Sequence, residues 1–333
     1  MYQKASRWAL AASALFAIAG CAAGTGSTSP AVQSQSPYSQ IVHRGMPFAP
    51  AVHHIVTPNS IHATYSTLRS LVFEGDQSEA AVNIYRTIRL PSNPAPIATI
   101  HVSAGCPYGM AQDKSGTLFV ADNCGGNDVE EYAKGSTTLK TKITTGVSNP
   151  LGLAIDASGT LYVSNYPATI TEYPAGSTTP SKTITCSCMS DPFGLALDAS
   201  GNLYIADFGA TKVFELPAGS TTLQDLGLQD LSEPLGVAID IKTQVMWVTD
   251  GAGKKVEVYK LGSTTPFQTI TGFSDPYAVS IENVGRPHGT VVQSDLYETG
   301  PYPVDAYKVG QYTPYAKLTN GVTLPTGLLI AKP

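Results

Sequence analysis

The stretch Pro192-Phe-Gly-Leu-Ala-Leu-Asp-Ala-Ser-Gly-Asn-Leu-Tyr-Ile-Ala-Asp207 decides the fold of this chain. It predicts two short β-strands joined by an Asp-Ala-Ser-Gly turn, whose Asp can bond its own backbone and whose Gly can take a positive φ. The same frame begins at Pro107, Pro150, Pro192, Pro234, Pro276 and Pro325, with spacings of 43, 42, 42, 42 and 49 residues. One supersecondary unit is therefore repeated along the chain.

Each unit predicts four strands. After the two strands of the quoted stretch, a third follows in segments such as 256–259, where apolar and polar residues alternate. A Gly-Ser-Thr-Thr turn then leads into an outer fourth strand, and this turn begins at Gly135, Gly176, Gly219 and Gly262. Four antiparallel strands in each repeat are typical of the blade of a β-propeller.

The ends of the second strands give the number of blades. These ends are Asp76, Asp122, Asn165, Asp207, Asp250 and Asp295. The first of them has no convincing innermost strand before it, whereas residues 325–331 form an innermost strand with no blade after it. We therefore predict an all-β, six-bladed β-propeller over residues 68–333, whose C-terminal strand completes the first blade and leaves no open sheet edge.

The N-terminus predicts export. Lys4 and Arg7 precede an apolar run that is too short for a comfortable membrane span, as in a signal peptide covering residues 1–20. Its Ile-Ala-Gly-Cys ending resembles a bacterial lipobox, which implies cleavage before Cys21 and lipidation of its thiol. An ordinary secretory signal with an incidental cysteine is the alternative.

Residues 21–67 are rich in Ser, Thr, Ala, Pro and Gln and predict a flexible tether between a lipid anchor and the propeller. Ala22 follows the lipidated cysteine, so the Asp that often retains lipoproteins at the inner membrane is absent from that position. We expect an exported protein that is lipid-anchored at the cell envelope, preferably at the outer membrane.

The charge of the chain argues against nucleic acid as a partner. Only 14% of the residues are charged, and cleavage before Cys21 leaves 18 basic residues against 25 acidic ones. Phosphate binding requires clustered Lys and Arg, and the chain contains no basic block. We expect a monomer.

The repeated pattern Pro-x-Gly-[Leu/Val]-Ala-[Ile/Leu]-Asp, followed by Gly-x-Leu-Tyr-[Val/Ile]-[Ala/Ser]-[Asp/Asn], resembles NHL repeats and the gluconolactonase-like (SMP-30-type) propellers. In those enzymes, a divalent cation is held by oxygen ligands that include Asn or Asp between the Pro and the Gly. The corresponding residues here are Tyr108, Leu151, Phe193, Leu235, Tyr277 and Thr326. None of them offers a carboxylate or an amide, so the resemblance supports the fold and argues against that metal site.

Those six residues lie at one face of the propeller, together with the ends of the second strands, because antiparallel neighbours start and end side by side. Two interpretations stay open. In one, the apolar ring plugs the channel and the acids bond turn amides. In the other, the ring forms the walls of a shallow binding pocket with an acidic rim.

Four cysteines follow Cys21. Cys106 and Cys124 flank the first two strands of one blade, so antiparallel pairing predicts a disulfide between them. For Cys186 and Cys188 we favour a structural bridge, with a redox or soft-metal role as the alternative.

We therefore expect a non-catalytic binding module for a protein, peptide or glycan, with the channel-mouth residues as its site and no cofactor. The alternative is a hydrolase or lyase of the same propeller superfamily, with a non-standard site that uses the acids and a bound Ca²⁺.

Overall fold

The computed structural model describes residues 71–86, 93–103, 105–281, 290–294, 304–308, 311–314, 316–320, 322–323 and 325–331. The predicted signal peptide, Cys21, the tether and Asp295 lie outside these residues. The described part of the chain contains no helix that is long and apolar enough to cross a membrane.

The strands follow one another in groups of four. They begin with β1 (Leu71–Asp76), β2 (Ala81–Arg86) and β3 (Ala98–His101). The next group is β4 (Pro107–Gln112), β5 (Leu118–Asp122), β6 (Asp128–Tyr132) and β7 (Leu139–Ile143). It is followed by β8 (Pro150–Ile155), β9 (Leu161–Asn165), β10 (Thr169–Tyr173) and β11 (Lys182–Thr185).

The second half of the chain repeats this order. It continues with β12 (Pro192–Leu197), β13 (Leu203–Asp207), β14 (Lys212–Leu216) and β15 (Gln224–Asp225). Then come β16 (Pro234–Asp240), β17 (Val245–Asp250), β18 (Lys255–Lys260) and β19 (Gln268–Thr271). The last strands are β20 (Pro276–Ile281), β21 (Thr290–Ser294), β22 (Val304–Tyr307), β23 (Ala316–Leu318) and β24 (Pro325–Ala331).

Hydrogen bonding joins these strands into six four-stranded antiparallel sheets, numbered here in chain order. The last strand, β24, pairs along β1 and so belongs to the first sheet with β2 and β3. The innermost strands contact one another in the cyclic order β24, β4, β8, β12, β16, β20 and back to β24. Sheets arranged around a common axis in this way confirm the predicted all-β propeller.

The hydrophobic core lies between neighbouring sheets. One cluster joins the first and second sheets through Phe73, Val82 and Val120, and a similar cluster joins the third and fourth sheets through Ile170 and Phe214. Both faces of a sheet are therefore buried, which explains why the second strands, such as β13, are buried along their whole length.

The Pro-x-Gly motif positions the residues nearest the axis. In β12, the pairing with β13 shifts between Pro192 and Leu195, so Phe193 and Gly194 form a bulge. A methyl group on the α-carbon of Gly194 would lie 2.6 Å from the carbonyl oxygen of Leu235 in the next innermost strand. The motif needs glycine because adjacent innermost strands approach backbone to backbone.

Candidate functional site

The six residues between Pro and Gly form a plug in the central channel. They are Tyr108, Leu151, Phe193, Leu235, Tyr277 and Thr326, and each is at most 5% exposed. The rings of Phe193 and Tyr277 lie 4.9 Å apart, centroid to centroid, and Tyr108 lies 6.1 Å from each of them. These edge-on and tilted contacts are typical of a packed aromatic cluster. Of the two interpretations, the geometry supports the plug.

The channel encloses little free space beside the plug. A cavity of about 80 Å³ is lined by the plug residues, by the glycines that follow them and by the next apolar layer, which includes Met110 and Leu195. Pockets for small ligands have volumes of roughly 300–1,000 Å³. This cavity is too small for a peptide or a glycan. The plug residues therefore close the channel at its mouth.

The predicted acidic rim is buried and bonds to backbone amides. Asp207 accepts hydrogen bonds from the amides of Ser190, Asp191 and Ala210, at 2.8–2.9 Å. Asp250 accepts from the amides of Ser232, Glu233 and Gly253, at 2.8–3.1 Å. Each carboxylate therefore fixes the loop that enters the innermost strand of its own sheet.

The other described rim residues act alike. Asp76 accepts from the amides of Glu79 and Thr323, Asp122 from the amide of Cys106, and Asn165 from the amide of Ser148. All five described rim residues are at most 1% exposed. They clamp loops, and ligand contact through them stays a prediction.

Three further acids lie at the mouth, and each immediately precedes a proline that opens an innermost strand. We call Asp191, Glu233 and Asp275 the acidic collar. A methyl group on the α-carbon of Gly251 would lie 2.6 Å from a carboxylate oxygen of Asp275 and 3.6 Å from the carboxyl carbon of Glu233. Glu233 and Asp275 are half-buried and adjoin the same point beside the plug residue Leu235.

Burial and like charges raise the pKa values of two collar residues. Desolvation, with a further contribution from the charges of Asp275 and Asp250, raises the pKa of Glu233 to about 7. Desolvation and the charge of Asp207 raise the pKa of Asp191 to about 7. One carboxylate oxygen of Asp191 is buried and has no hydrogen-bond partner among the described residues. Burial and neighbouring charges therefore disfavour the ionised forms of Asp191 and Glu233.

The second sheet contains a separate buried acidic cluster. Oxygens of Asp122, Asp128 and Glu130 all lie within 4.8 Å of one another. The ammonium of Lys142 lies 2.6 Å from an oxygen of Asp128 and 3.0 Å from one of Glu130. Burial raises the pKa of Asp128 despite this ion pair, whereas hydrogen bonds from Ser103, Tyr132 and Lys142 outweigh burial and lower the pKa of Glu130.

Glu74 is a further fully buried acid, on β1. Desolvation, and then the charge of Asp76, raise its pKa well above the usual value, although the Asn83 amide donates to it at 3.2 Å. Asn83 in turn accepts from the hydroxyl of Thr99, so these three side chains form a polar line across the first sheet. This line lies within the sheet and away from the collar.

Both predicted disulfides are present. Cys106 and Cys124 are joined, with their α-carbons 5.1 Å apart, and the Gln77 amide donates to the sulfur of Cys106. Cys186 and Cys188 are also joined, which confirms the structural bridge that the sequence favoured. The first bridge ties the start of β4 to the loop after β5, beside the mouth.

The chain matches no protein-family model and no curated protein. Among solved structures, it resembles one titled "Crystal structure of Nidogen/Laminin Complex", with a TM-score of 0.67 and 16% sequence identity over 79% of this chain and 98% of that one. At this identity, the likeness establishes the propeller fold alone. The resemblance to NHL-repeat and gluconolactonase-like propellers continues to rest on the repeat residues.

Two sets of site residues were missed from the sequence. The collar residues occupy one fixed position of the repeat, directly before the proline. Comparing this position between the repeats would have found them. Asp128, Glu130 and Lys142 carry a weaker signal, because they meet only when β5, β6 and β7 pair.

Proposed function

We propose that this protein is a non-catalytic β-propeller that binds a partner on its channel-mouth face. The partner is a protein, peptide or glycan, and the acidic collar favours a cationic segment of a polypeptide. The observation that carries this proposal is that the half-buried carboxyl groups of Glu233 and Asp275 lie beside Leu235 of the plug.

A cationic side chain would compensate the negative charge of the collar. Glu233 and Asp275 both lie next to Gly251, beside Leu235, and the charge of Asp275 raises the cost of ionising Glu233. A Lys or Arg side chain placed between them would offset that repulsion while its methylene stem lay over the plug. The formal charge of the whole chain, −5, would also steer a cationic partner toward it.

The likeness to a solved protein–protein complex is in keeping with a protein partner. The proposal includes a six-bladed, NHL-like ring sealed by β24, and a monomeric chain held at the cell envelope by a lipid on Cys21. Metabolic labelling with palmitate tests the anchor: label should enter the wild-type chain, and Cys21→Ala should carry none. Equal labelling of both would contradict it.

The binding site is tested with decalysine as the probe, by isothermal titration of the full chain at low ionic strength. We expect Glu233→Gln combined with Asp275→Asn to weaken binding at least tenfold. Glu215→Gln is the matched control, because this acid also has a raised pKa but lies near Asp198, at the opposite end of its sheet. Equal loss in the control would show that only net charge matters and would refute a site at the mouth.

A further inference from the structure

A second ligand site is indicated by the acidic cluster of the second sheet. We propose that Asp122, Asp128 and Glu130 bind one divalent cation of the Ca²⁺ class, in competition with the ammonium of Lys142. This site lies on the second and third strands of the sheet, outside the plug and outside the collar.

The spacing of the oxygens fits a single ion. Ca²⁺ binds oxygen at about 2.3–2.6 Å, so two oxygens on one ion are at most about 5 Å apart. The three carboxylates offer oxygens within 4.8 Å of one another. The hydroxyl of Ser103 contacts Glu130 and adds a neutral oxygen at the same place.

One oxygen of the cluster lacks a partner. Asp128 is 3% exposed, and while its Oδ2 contacts Lys142, its Oδ1 is buried without a hydrogen-bond partner among the described residues. A buried carboxylate oxygen with no donor is costly, because it has lost water and gained nothing in return. A cation bound to this oxygen would remove that cost.

The fifth sheet contains the equivalent positions with different residues. There, Lys255 pairs with Asp250 across the strands, as Asp128 pairs with Asp122 in the second sheet. The Lys255 ammonium lies 2.7 Å from Glu257, the counterpart of Glu130. The same point in the fold is therefore occupied by a cationic group in the fifth sheet and by an additional carboxylate in the second.

The Lys142 ammonium occupies the place that we propose for the cation, and its side chain can move away from that place. Its ammonium contacts Asp128, Glu130 and the hydroxyl of Ser103, the last at 2.6 Å. Its side chain is 32% exposed and comes from the outer strand β7, so it can rotate into water. The three carboxylates outnumber this one ammonium, and a divalent ion would balance them better.

Ser103 is exposed and its hydroxyl contacts Glu130, so we expect water to reach the cluster beside it. Water entering there can complete the six to eight oxygen ligands that Ca²⁺ takes. Loosely completed sites of this kind bind Ca²⁺ in roughly the 10⁻⁴–10⁻³ M range when they occur in extracellular modules.

The test is calorimetric titration of Ca²⁺ into the chelator-treated full chain. We expect one saturable site, at least tenfold weaker binding in Asp128→Asn, and at least threefold tighter binding in Lys142→Ala, which removes the competing ammonium. Glu257→Gln in the fifth sheet is the matched control and should leave the affinity unchanged.

Several results would overturn the proposed cation site. Absence of saturable binding by the wild-type chain would overturn the proposal, as would unchanged affinity in a folded Asp128→Asn variant. If Asp128→Asn does not fold, weaker binding in Lys142→Ala would overturn it. Loss of binding in Glu233→Gln would place the ion at the collar instead.

Discussion

The plug and the collar lie two residues apart at the start of three innermost strands, yet the plug residues there are aromatic or aliphatic and the collar residues are acidic. Leu235 is apolar and 2% exposed, whereas Glu233 is a half-buried acid with a pKa raised to about 7. The proline between them opens the strand, and the bulge that follows directs the plug residue toward the axis. The comparison teaches that one short motif separates a packed layer that stabilises the ring from a layer of ionisable acids.

The largest effect should come from the plug. Phe193→Ala removes a ring that packs against Tyr108 and Tyr277, and it should lower the free energy of unfolding by about 3–5 kcal/mol. Leu139→Ala, at a residue 39% exposed on β7, is the control and should change it by no more than about 0.5 kcal/mol. Urea denaturation measures both. A small loss for Phe193→Ala would mean that the mouth is a pocket after all.

An intermediate effect on stability should come from the rim carboxylates that bond the loops before the innermost strands. Asp250→Asn replaces a carboxylate oxygen that accepts from backbone amides with an NH₂ group, and it should cost about 1.5–3 kcal/mol. Asp225→Asn, in an exposed ion pair with Lys212, should cost less than about 1 kcal/mol. Equal costs would show that the buried acids of the rim do not hold the loops.

A further effect on stability should come from the collar, through pH. Because the folded pKa values of Asp191 and Glu233 are raised above their unfolded values, the folded state holds protons that the unfolded state releases. Their contribution to stability is therefore present at low pH and is lost as pH rises toward about 7.

Melting temperatures measured between pH 5 and 8 check this sign. The double variant Asp191→Asn with Glu233→Gln should lose less stability than the wild type over this range. If the wild type loses no more stability than the variant as pH rises, the raised pKa values of Asp191 and Glu233 would be contradicted.

Much of the fold could be predicted because it repeats. The frame of Pro192 to Asp207 fixes the strands, the turns and the proximity of Cys106 to Cys124, since each follows from local pairing. The pairing of residues 325–331 with Leu71–Asp76 was also predictable. The first blade lacked an innermost strand, and the C-terminal strand lacked a blade, so each could complete the other.

The site was less predictable for two physical reasons. Whether Tyr108 and Phe193 leave a space or fill it depends on the distance between facing strands, which no single repeat encodes. The pKa of Glu233 depends on burial and on Asp275, which is 42 residues away along the chain. Such contacts across sheets lie outside the periodic signal.

Recognition at the collar, above the plug, is tested most directly by the affinity for decalysine at pH 6 and pH 8. Ionisation of the collar near pH 7 should make wild-type binding at least threefold tighter at pH 8. Glu233→Gln combined with Asp191→Asn should abolish that difference. Equal wild-type affinity at both pH values, or a pH dependence that survives in the variant, would contradict the account.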